Sequence, residues 1–441
     1  MESFIAAANS DMQAEVQIPE LNLTAFDQQA PYVTRRDQTT TTCPVPVLKP
    51  STTRTAKLTV TDLNFIDLST LYFTFTIRNN ANTADTNVLR PLSAIPHCWF
   101  RRMRWMLNGC VLEDSGSHLN RLEEQISRFV STRKRRDYGD VGSGWEVLTD
   151  DGIDALPKSI PRNSTKKVVW RPLSSGWLQC GKLCPLLGGS AGGLSCELEL
   201  ADVSDAALAA AGLSQNWQIE SLEMHCDSVT LTSELASQFA EQLVHDSILI
   251  PFQSNMCDVQ YLPDGSNNVT LSLAKQYSRL NSVIVSFCDE VGAPPDALAA
   301  GVHSRTMNRF YLDRSKKETV SSFLQLNNQR YPQHDTVGAT QHLIKLQQGL
   351  GVYNSVSHGV SFSQDAYGGK DTAGANDDAR YFAILTDTEM VPHVSASGQP
   401  VLGGGVIQFT AKNLGEPRQA FIMTQFDSVC EIRNQGCALY T

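Results

Sequence analysis

The stretch Arg104–Leu112, RWMLNGCVL, places an Asn-Gly pair between two runs of apolar residues. Asn-Gly in that setting is the strongest local signal for a β-hairpin, because a type I′ turn needs positive φ at both central positions. The apolar residues then change to a helical period. Ser117 can cap a helix whose apolar positions are spaced mostly three to four apart, at Leu119, Leu122, Ile126, Phe129 and Val130. The sequence therefore predicts a hairpin followed directly by a helix.

The same pair of elements occurs a second time. Phe323–Tyr331, FLQLNNQRY, predicts a strand, an Asn-Asn turn and a return strand, and its turn lies 219 residues after the first one. A helix is again expected next, from about Ala339, with Leu343, Leu346 and Leu350 on one face.

Two further stretches match at a similar offset. Leu194–Leu200 alternates apolar and polar residues, and Val406–Ala411 does so in the second half. Asp227-Ser228-Val229 lies 200 residues before Asp427-Ser428-Val429. Solenoid repeats have periods of about 20–50 residues, so this longer repeat indicates two copies of one β domain.

Each half has about seven or eight strand-like segments separated by long connections, which is typical of Greek-key sandwiches and, with eight strands, of a jelly roll. The predicted fold is all-β: two tandem eight-stranded jelly rolls, a short helix inserted in each, and a helix at the joint. Two immunoglobulin-like sandwiches are the alternative, disfavoured because such domains have about 100 residues.

The joint is predicted at Ser233–His245, where Leu235, Phe239 and Leu243 recur at spacing four. The expected division is an N-terminal tail at 1–16, a first jelly roll at 17–232, the linking helix at 233–245 and a second jelly roll at 246–441.

Composition narrows the possible functions. The 441 residues carry 36 Lys and Arg against 46 Asp and Glu, a formal charge of −10, which disfavours a protein that binds nucleic acid mainly through its phosphates. No run of about 18 apolar residues predicts a membrane helix, and the N-terminus does not have the pattern of a secretory signal. Eleven cysteines, an odd and scattered set, favour reduced thiols over a disulfide framework.

One basic cluster is a candidate interior-facing or nuclear-import site, formed by Arg133, Lys134, Arg135 and Arg136 with Arg101, Arg102 and Arg104 upstream. The favoured interpretation is a solvated helix end, where cations suit the helix dipole. Glu123 and Glu124 are expected on an exposed face of the same helix.

Catalytic and metal motifs are weak. Cys180–Cys184 is a Cys-x₃-Cys without a second ligand pair at zinc spacing, so plain packing is favoured. The histidines are dispersed, and His225 within a strand is expected to be structural. The glycine runs at 188–193 and 403–405 lack the phosphate-loop and dinucleotide patterns, and no nucleophile elbow occurs. We expect no enzyme activity, no cofactor and no metal.

In this order, the features resemble the major capsid proteins of the adenovirus-like double jelly-roll virus lineage, above all those of polinton-like viruses, virophages and adintoviruses. The resemblance extends over roughly residues 17–441 and consists of fold-pattern matches that follow one another in the same order along this chain. The stretches that carry it are Trp105–Gly109 with its helix, Leu183–Leu200, Trp217–Leu243, Phe323–Leu350 and the closing strands from Ser397.

The resemblance implies a capsid protein of the virion, assembled in the host cytoplasm or nucleus. Three chains would form a pseudo-hexameric capsomer of an icosahedral shell around a double-stranded DNA genome, with penton and minor capsid proteins as partners and no sequence-specific nucleic-acid binding. The N-terminal tail would contact components beneath the shell. Two alternatives stay open: a two-domain carbohydrate-binding protein resembling a lectin, and a two-barrel metal enzyme of the cupin type.

Overall fold

The computed structural model describes residues 32–60, 64–81, 87–91, 96–130, 159–186, 193–207, 213–288, 310–353, 367–369, 381–389, 398–401, 405–433 and 436–441, the side chains of 127–130 excepted. Within this part of the chain, two sets of strands follow one another, and a helix lies between them.

The first set contains ten strands: β1 (Val33–Thr42), β2 (Val47–Leu48), β3 (Thr55–Val60), β4 (Phe65–Asn79), β5 (Phe100–Leu107), β6 (Cys110–Asp114), β7 (Thr165–Trp170), β8 (Leu183–Pro185), β9 (Leu194–Leu200) and β10 (Trp217–Leu231). Three helices accompany it among the described residues: α1 (Leu119–Val130), α2 (Gly176–Gln179) and α3 (Val203–Ala206).

The linking helix α4 runs over Ser233–His245, the stretch whose spacing predicted it. The second set also contains ten strands: β11 (Ile248–Tyr261), β12 (Val269–Leu273), β13 (Tyr277–Cys288), β14 (Ser321–Leu326), β15 (Gln329–Val337), β16 (Ala383–Asp387), β17 (Gln399–Val401), β18 (Ile407–Lys412), β19 (Gln419–Arg433) and β20 (Gly436–Tyr440). Its inserted helix is α5 (Ala339–Gly349).

Each set forms two antiparallel sheets with the same strand order. In the first, one sheet runs β1-β10-β4-β7, joined by β2 and β8, and the other runs β3-β9-β5-β6. In the second, the sheets run β11-β19-β13-β16, joined by β17 and β20, and β12-β18-β14-β15. Eight principal strands in two Greek-key sheets make a jelly roll. The predicted double jelly roll, with a helix inserted in each half, is confirmed.

The two predicted hairpin turns have the backbone that their residues favour. Asn108 and Gly109 have φ of 49° and 83°, and Asn327 and Asn328 have φ of 47° and 76°. A Cβ atom at Gly109 would meet no other atom within 4 Å, so the requirement for glycine there is conformational and not steric. Asparagine tolerates the same region less easily than glycine.

Both jelly rolls bury a core between their sheets. The first core combines aliphatic side chains with tryptophan and phenylalanine rings, and the Phe100 and Trp170 rings stack 5.0 Å apart. The second core is mainly aliphatic, with Phe and Tyr among the buried side chains. Among the described residues, no helix is both long enough and apolar enough to cross a bilayer.

Candidate functional site at the junction of the two jelly rolls

The basic cluster Arg133–Arg136 lies outside the described residues, but the arginines just upstream of it are described in β5. They are paired with acidic side chains of their own sheet. Arg102 donates to Asp114, with 2.9 Å between Nε and Oδ1, and Arg101 lies 3.2 Å from Glu199. Burial alone would raise the pKa of Asp114, but the hydrogen bonds from Arg102 and from the Gly116 backbone N–H, together with the charges of Arg102 and Arg104, hold that pKa below its ordinary value. These arginines are therefore engaged within the fold.

The two jelly rolls meet along α1, α2 and the strand β11. In α1, Leu119 belongs to the first core, whereas Leu122 and Ile126 belong to the second. Conversely, the second jelly roll contributes Phe252 of β11 to the first core. The Phe252 ring packs against Trp177 of α2, with 5.2 Å between the ring centroids. Each jelly roll thus completes its core with side chains of the other.

Two glycines let the backbones approach closely at this junction. A Cβ atom at Gly176 would lie 1.5 Å from the carbonyl oxygen of Gln253 in β11. A Cβ atom at Gly116, which has a φ of 74°, would lie 2.9 Å from the carbonyl oxygen of Cys257. No larger residue fits at Gly176 unless β11 moves away.

Glu113, in β6, lies buried at the centre of the junction. Its carboxylate accepts hydrogen bonds from the Ser175 hydroxyl (2.5 Å) and from the backbone N–H groups of Gly176 (2.9 Å) and Trp177 (3.4 Å). A further backbone hydrogen bond comes from Asn255 of the second jelly roll. Burial raises the pKa of Glu113 to about 7, although these hydrogen bonds act in the opposite direction.

A second glutamate binds the loop of residues 173–175, which leads into the segment bound by Glu113. Glu123 of α1 accepts hydrogen bonds from the backbone N–H groups of Leu173 (3.0 Å) and Ser174 (2.6 Å), and from the Ser174 hydroxyl. The Asn255 side chain donates to the Ser174 carbonyl at 2.8 Å. The loop is therefore bound by acidic groups of the first jelly roll and by an amide of the second.

The prediction that Glu123 and Glu124 lie on an exposed helix face is wrong. Both are buried, and Glu124 Oε2 lies 3.2 Å from Nε2 of His97, which is also fully buried. On the same helix, Gln125 donates to the hydroxyl of Ser286 in β13. The apolar spacing of α1 predicts one buried face. A second, polar face is also covered, by the second jelly roll and by the loop around Ser174.

The helix inserted in the second jelly roll carries a histidine as its buried polar group. His342 Nδ1 lies 2.7 Å from the Gly338 carbonyl and must donate to it, so Nε2 accepts from the Ser322 hydroxyl at 2.9 Å. Burial lowers the pKa of His342 to about 4, so the ring is neutral at pH 7.

The remaining candidates from the sequence have structural partners. His225 lies between Thr40 and Thr74, at 2.9 and 3.0 Å, and its ring stacks on Tyr72. Cys180 is half-buried and Cys184 is buried. In the described ranges, no three His, Cys, Asp or Glu side chains are grouped so that they could hold a metal ion.

Sequence reasoning missed the junction and its central residue, Glu113. A carboxylate at the end of a short strand is not unusual in a sequence, and the loop that surrounds it lies more than fifty residues further along the chain. What the arrangement does is mechanical: it joins the two jelly rolls through interlocked apolar side chains, close backbones and buried hydrogen bonds.

No family model matches the sequence, and no curated protein matches it. Solved structures do match its fold. The chain is similar to a chain of the PBCV-1 virus capsid (TM-score 0.62, 10% identity, 94% of this chain and 98% of that one). It is similar to the Faustovirus major capsid protein (0.56, 8%, 91% and 91%). It is also similar to a chain of the Sputnik virophage structure (0.54, 12%, 96% and 92%). These likenesses show a shared double jelly-roll fold over nearly the whole chain.

Proposed function

We propose that this chain is a viral major capsid protein, three copies of which form a pseudo-hexameric capsomer of an icosahedral shell around a double-stranded DNA genome. The observation that carries the proposal is the repeated strand order of the two jelly rolls. That architecture is shared, over nine-tenths of the chain, with structures described as a virus capsid and a major capsid protein.

The internal junction supports a ring of three chains. At that junction the first jelly roll presents a helix, α1, and the second presents a strand edge, β11, so the contact joins unlike surfaces. Contacts between unlike surfaces generate rings when the rotation between units closes. Three chains joined in the same manner would place six similar jelly rolls around one axis.

The surfaces that would join neighbouring chains are the equivalents of these two, namely α5 and β1. At positions 119–126 of α1 only Arg121 is partly exposed, whereas α5 exposes Thr340, Gln341, Ile344 and Lys345. β1 ends its sheet within the described strands, and most of its residues are exposed. An uncovered strand edge invites unspecific pairing. We infer that α5 of one copy packs against β1 of the next.

The finer assignments rest on the same proposal. The chain would be of the polinton-like virus, virophage or adintovirus type, would reside in the virion, and would contact penton and minor capsid proteins. The divisions at 17–232, 233–245 and 246–441 would be the folding units, and Arg133–Arg136 would face the interior of the particle. The described residues offer no observation that favours the carbohydrate-binding or the cupin alternative.

Sedimentation of the purified full chain tests the proposal. We expect a trimer of the 48.4 kDa chain at micromolar concentration, and hexagon-like rings in negative-stain micrographs. A stable monomer under these conditions would contradict the capsomer assignment.

A pair of variants locates the contact. Ile344→Glu on α5 places a charge in the proposed interface and should weaken the trimer at least tenfold, about 1.4 kcal/mol. The matched control is Val244→Glu on the linking helix, where the side chain is 61% exposed against 37% for Ile344. A trimer equally stable in both variants would show that α5 is not the contact surface.

A further inference from the structure

The C-terminal strand β20 lies across both jelly rolls. It pairs with β19 of the second and also packs against β6 of the first. Cys437 of β20 donates its thiol hydrogen to the Leu107 carbonyl at 3.0 Å, at the base of the first hairpin turn. The C-terminus of the chain is thus held against the first jelly roll beside Cys110, which opens β6.

The side chains of Cys110 and Cys437 are neighbours, because the carbonyl that accepts the Cys437 thiol belongs to Leu107, which pairs directly with Cys110 across the hairpin. The Cys110 thiol donates a hydrogen bond to the Cys437 sulfur. The sulfur of Cys110 also accepts the backbone N–H of Leu439, and the sulfur of Cys437 accepts the backbone N–H of Cys110. Both residues are partly exposed free thiols, so a small reagent can reach them.

A third thiol, Cys430 of β19, also contacts Cys437, but its backbone position is less suitable for a bond. Cys437 pairs directly with Ile432 and Cys430 with Leu439, so the two cysteines are diagonal neighbours across the strands. Diagonal Cα atoms are about 7–8 Å apart, whereas a disulfide spans no more than roughly 7 Å. Cys430 is also fully buried. Cys110 is therefore the better partner.

We propose that Cys110 and Cys437 form a disulfide bond that fastens the C-terminal strand to the first jelly roll when the folded protein meets a low-molecular-weight disulfide such as oxidised glutathione. The Cys110 thiolate attacks that disulfide, forms a mixed disulfide and releases one thiol. The Cys437 thiolate then attacks the Cys110 sulfur and releases the second. Two protein thiols are oxidised, one external disulfide is reduced, and the protein protons end on the released thiols.

The surroundings of the two thiols determine the conditions under which the disulfide forms. Burial, with a contribution from Cys437, raises the pKa of Cys110 to about 11. Because only the thiolate reacts, exchange is slow at neutral pH and faster in alkaline solution. The pair therefore stays reduced while the chain folds in a reducing compartment and closes later, in an oxidising one. The proposed disulfide between Cys110 and Cys437 does not depend on the capsid proposal.

The test uses the native full chain, incubated with oxidised glutathione at mildly alkaline pH and then mapped by mass spectrometry without reduction. We expect a linked pair of peptides containing Cys110 and Cys437. The melting temperature should rise by several degrees and return to its starting value after reduction. A folded chain in which both cysteines stay reduced, or in which Cys437 links to Cys430 or any other cysteine, would overturn the proposal.

Serine variants distinguish the effect of the Cys110–Cys437 disulfide from a general effect of oxidation. Cys110→Ser and Cys437→Ser should each abolish the shift in melting temperature. Cys430→Ser should retain it, as should Cys43→Ser, a partly exposed cysteine elsewhere in the first jelly roll. If a serine variant does not fold, the peptide map of the unaltered chain still decides the question.

Discussion

The core of the first jelly roll is built around tryptophan, whereas that of the second contains none. Five of the six tryptophans are described, and all five are buried in the first jelly roll, at Trp99, Trp105, Trp170, Trp177 and Trp217. The second core uses aliphatic side chains with rings such as Phe287 and Tyr381. The same strand order therefore tolerates different packing, because an apolar pattern of suitable total volume specifies a fold before side-chain complementarity does.

The inserted helices differ for a reason that concerns assembly. α1 is enclosed by two jelly rolls and buries two glutamates. Glu123 binds the loop around Ser174, and Glu124 binds His97. Within the described part of the chain, α5 is covered on one face only, and it buries a neutral His342. A helix enclosed on both sides needs polar partners on both sides, because each unpaired buried polar group costs about 1–3 kcal/mol.

The sheets also differ in how their long strands are completed. On one side of β10, β4 is the single partner from Trp217 to Val229, while β1 and β2 share the other side. In the second jelly roll β13 pairs with β19 only as far as Phe426, and β20 continues the sheet from Val429. The last strand of the chain thus fills a place that a single strand fills in the first half, and it brings Cys437 to the junction.

The largest expected effect breaks the internal junction itself. Gly176→Ala places a methyl group where Gln253 already lies, so the free energy of unfolding should fall by about 3 kcal/mol or more, at the upper end of overpacking costs. Chemical denaturation measures the change.

Gly436→Ala is the matched control, because a Cβ atom there would meet no other atom within 4 Å. Its free energy of unfolding should stay within about 0.5 kcal/mol of the parent, as for other surface changes. Equal stability of the two variants would show that the backbones of α2 and β11 do not meet as described.

The next prediction contrasts the buried titratable groups of the two halves. The pKa of Glu113 is raised from 4.5 to about 7, which corresponds to roughly 3 kcal/mol. Because the folded state holds this proton more tightly, the stabilisation is complete below pH 4.5 and is lost as pH rises through about 7. Glu113→Gln should therefore gain stability relative to the parent as pH rises, in denaturation curves recorded across this range.

His342 should show the opposite dependence. Its pKa is lowered from 6.5 to about 4, so its stabilisation is complete above pH 6.5 and is lost as pH falls through about 4. His342→Gln should gain stability relative to the parent by up to roughly 3 kcal/mol as the solution is acidified. If the difference in unfolding free energy between each variant and the parent does not change with pH, Glu113 and His342 are not buried as described.

The smallest effect compares the two hairpin turns. Gly109→Val forces a β-branched residue to a φ of 83° and should cost about 1–2 kcal/mol. Asn328→Gly, at a φ of 76° in the other turn, relieves the same constraint and should be neutral or slightly stabilising. Thermal unfolding distinguishes them, and unchanged stability of Gly109→Val would mean that the first turn is not of this type.

Local signals in the sequence predicted much of this architecture. The Asn-Gly and Asn-Asn turns, the helices after them and the linking helix at Ser233–His245 are all present. The matches of Leu194–Leu200 with Val406–Ala411, and of Asp227 with Asp427, lie on equivalent strands. Turn chemistry and apolar period act over a few residues, so they can be recognised without knowing what the chain packs against.

By itself, then, the sequence determined two jelly rolls of one order, because alternation and turn residues specify each strand locally. Only the tertiary structure decided how the halves are joined: that Glu113 and Glu123 are buried, that α1 serves two cores, and that Cys437 reaches Cys110. A helical period marks one buried face, and the second face of α1 is covered by β11 and by residues 173–177, which are distant in sequence. Such contacts depend on long-range closure of the chain, which no local pattern encodes.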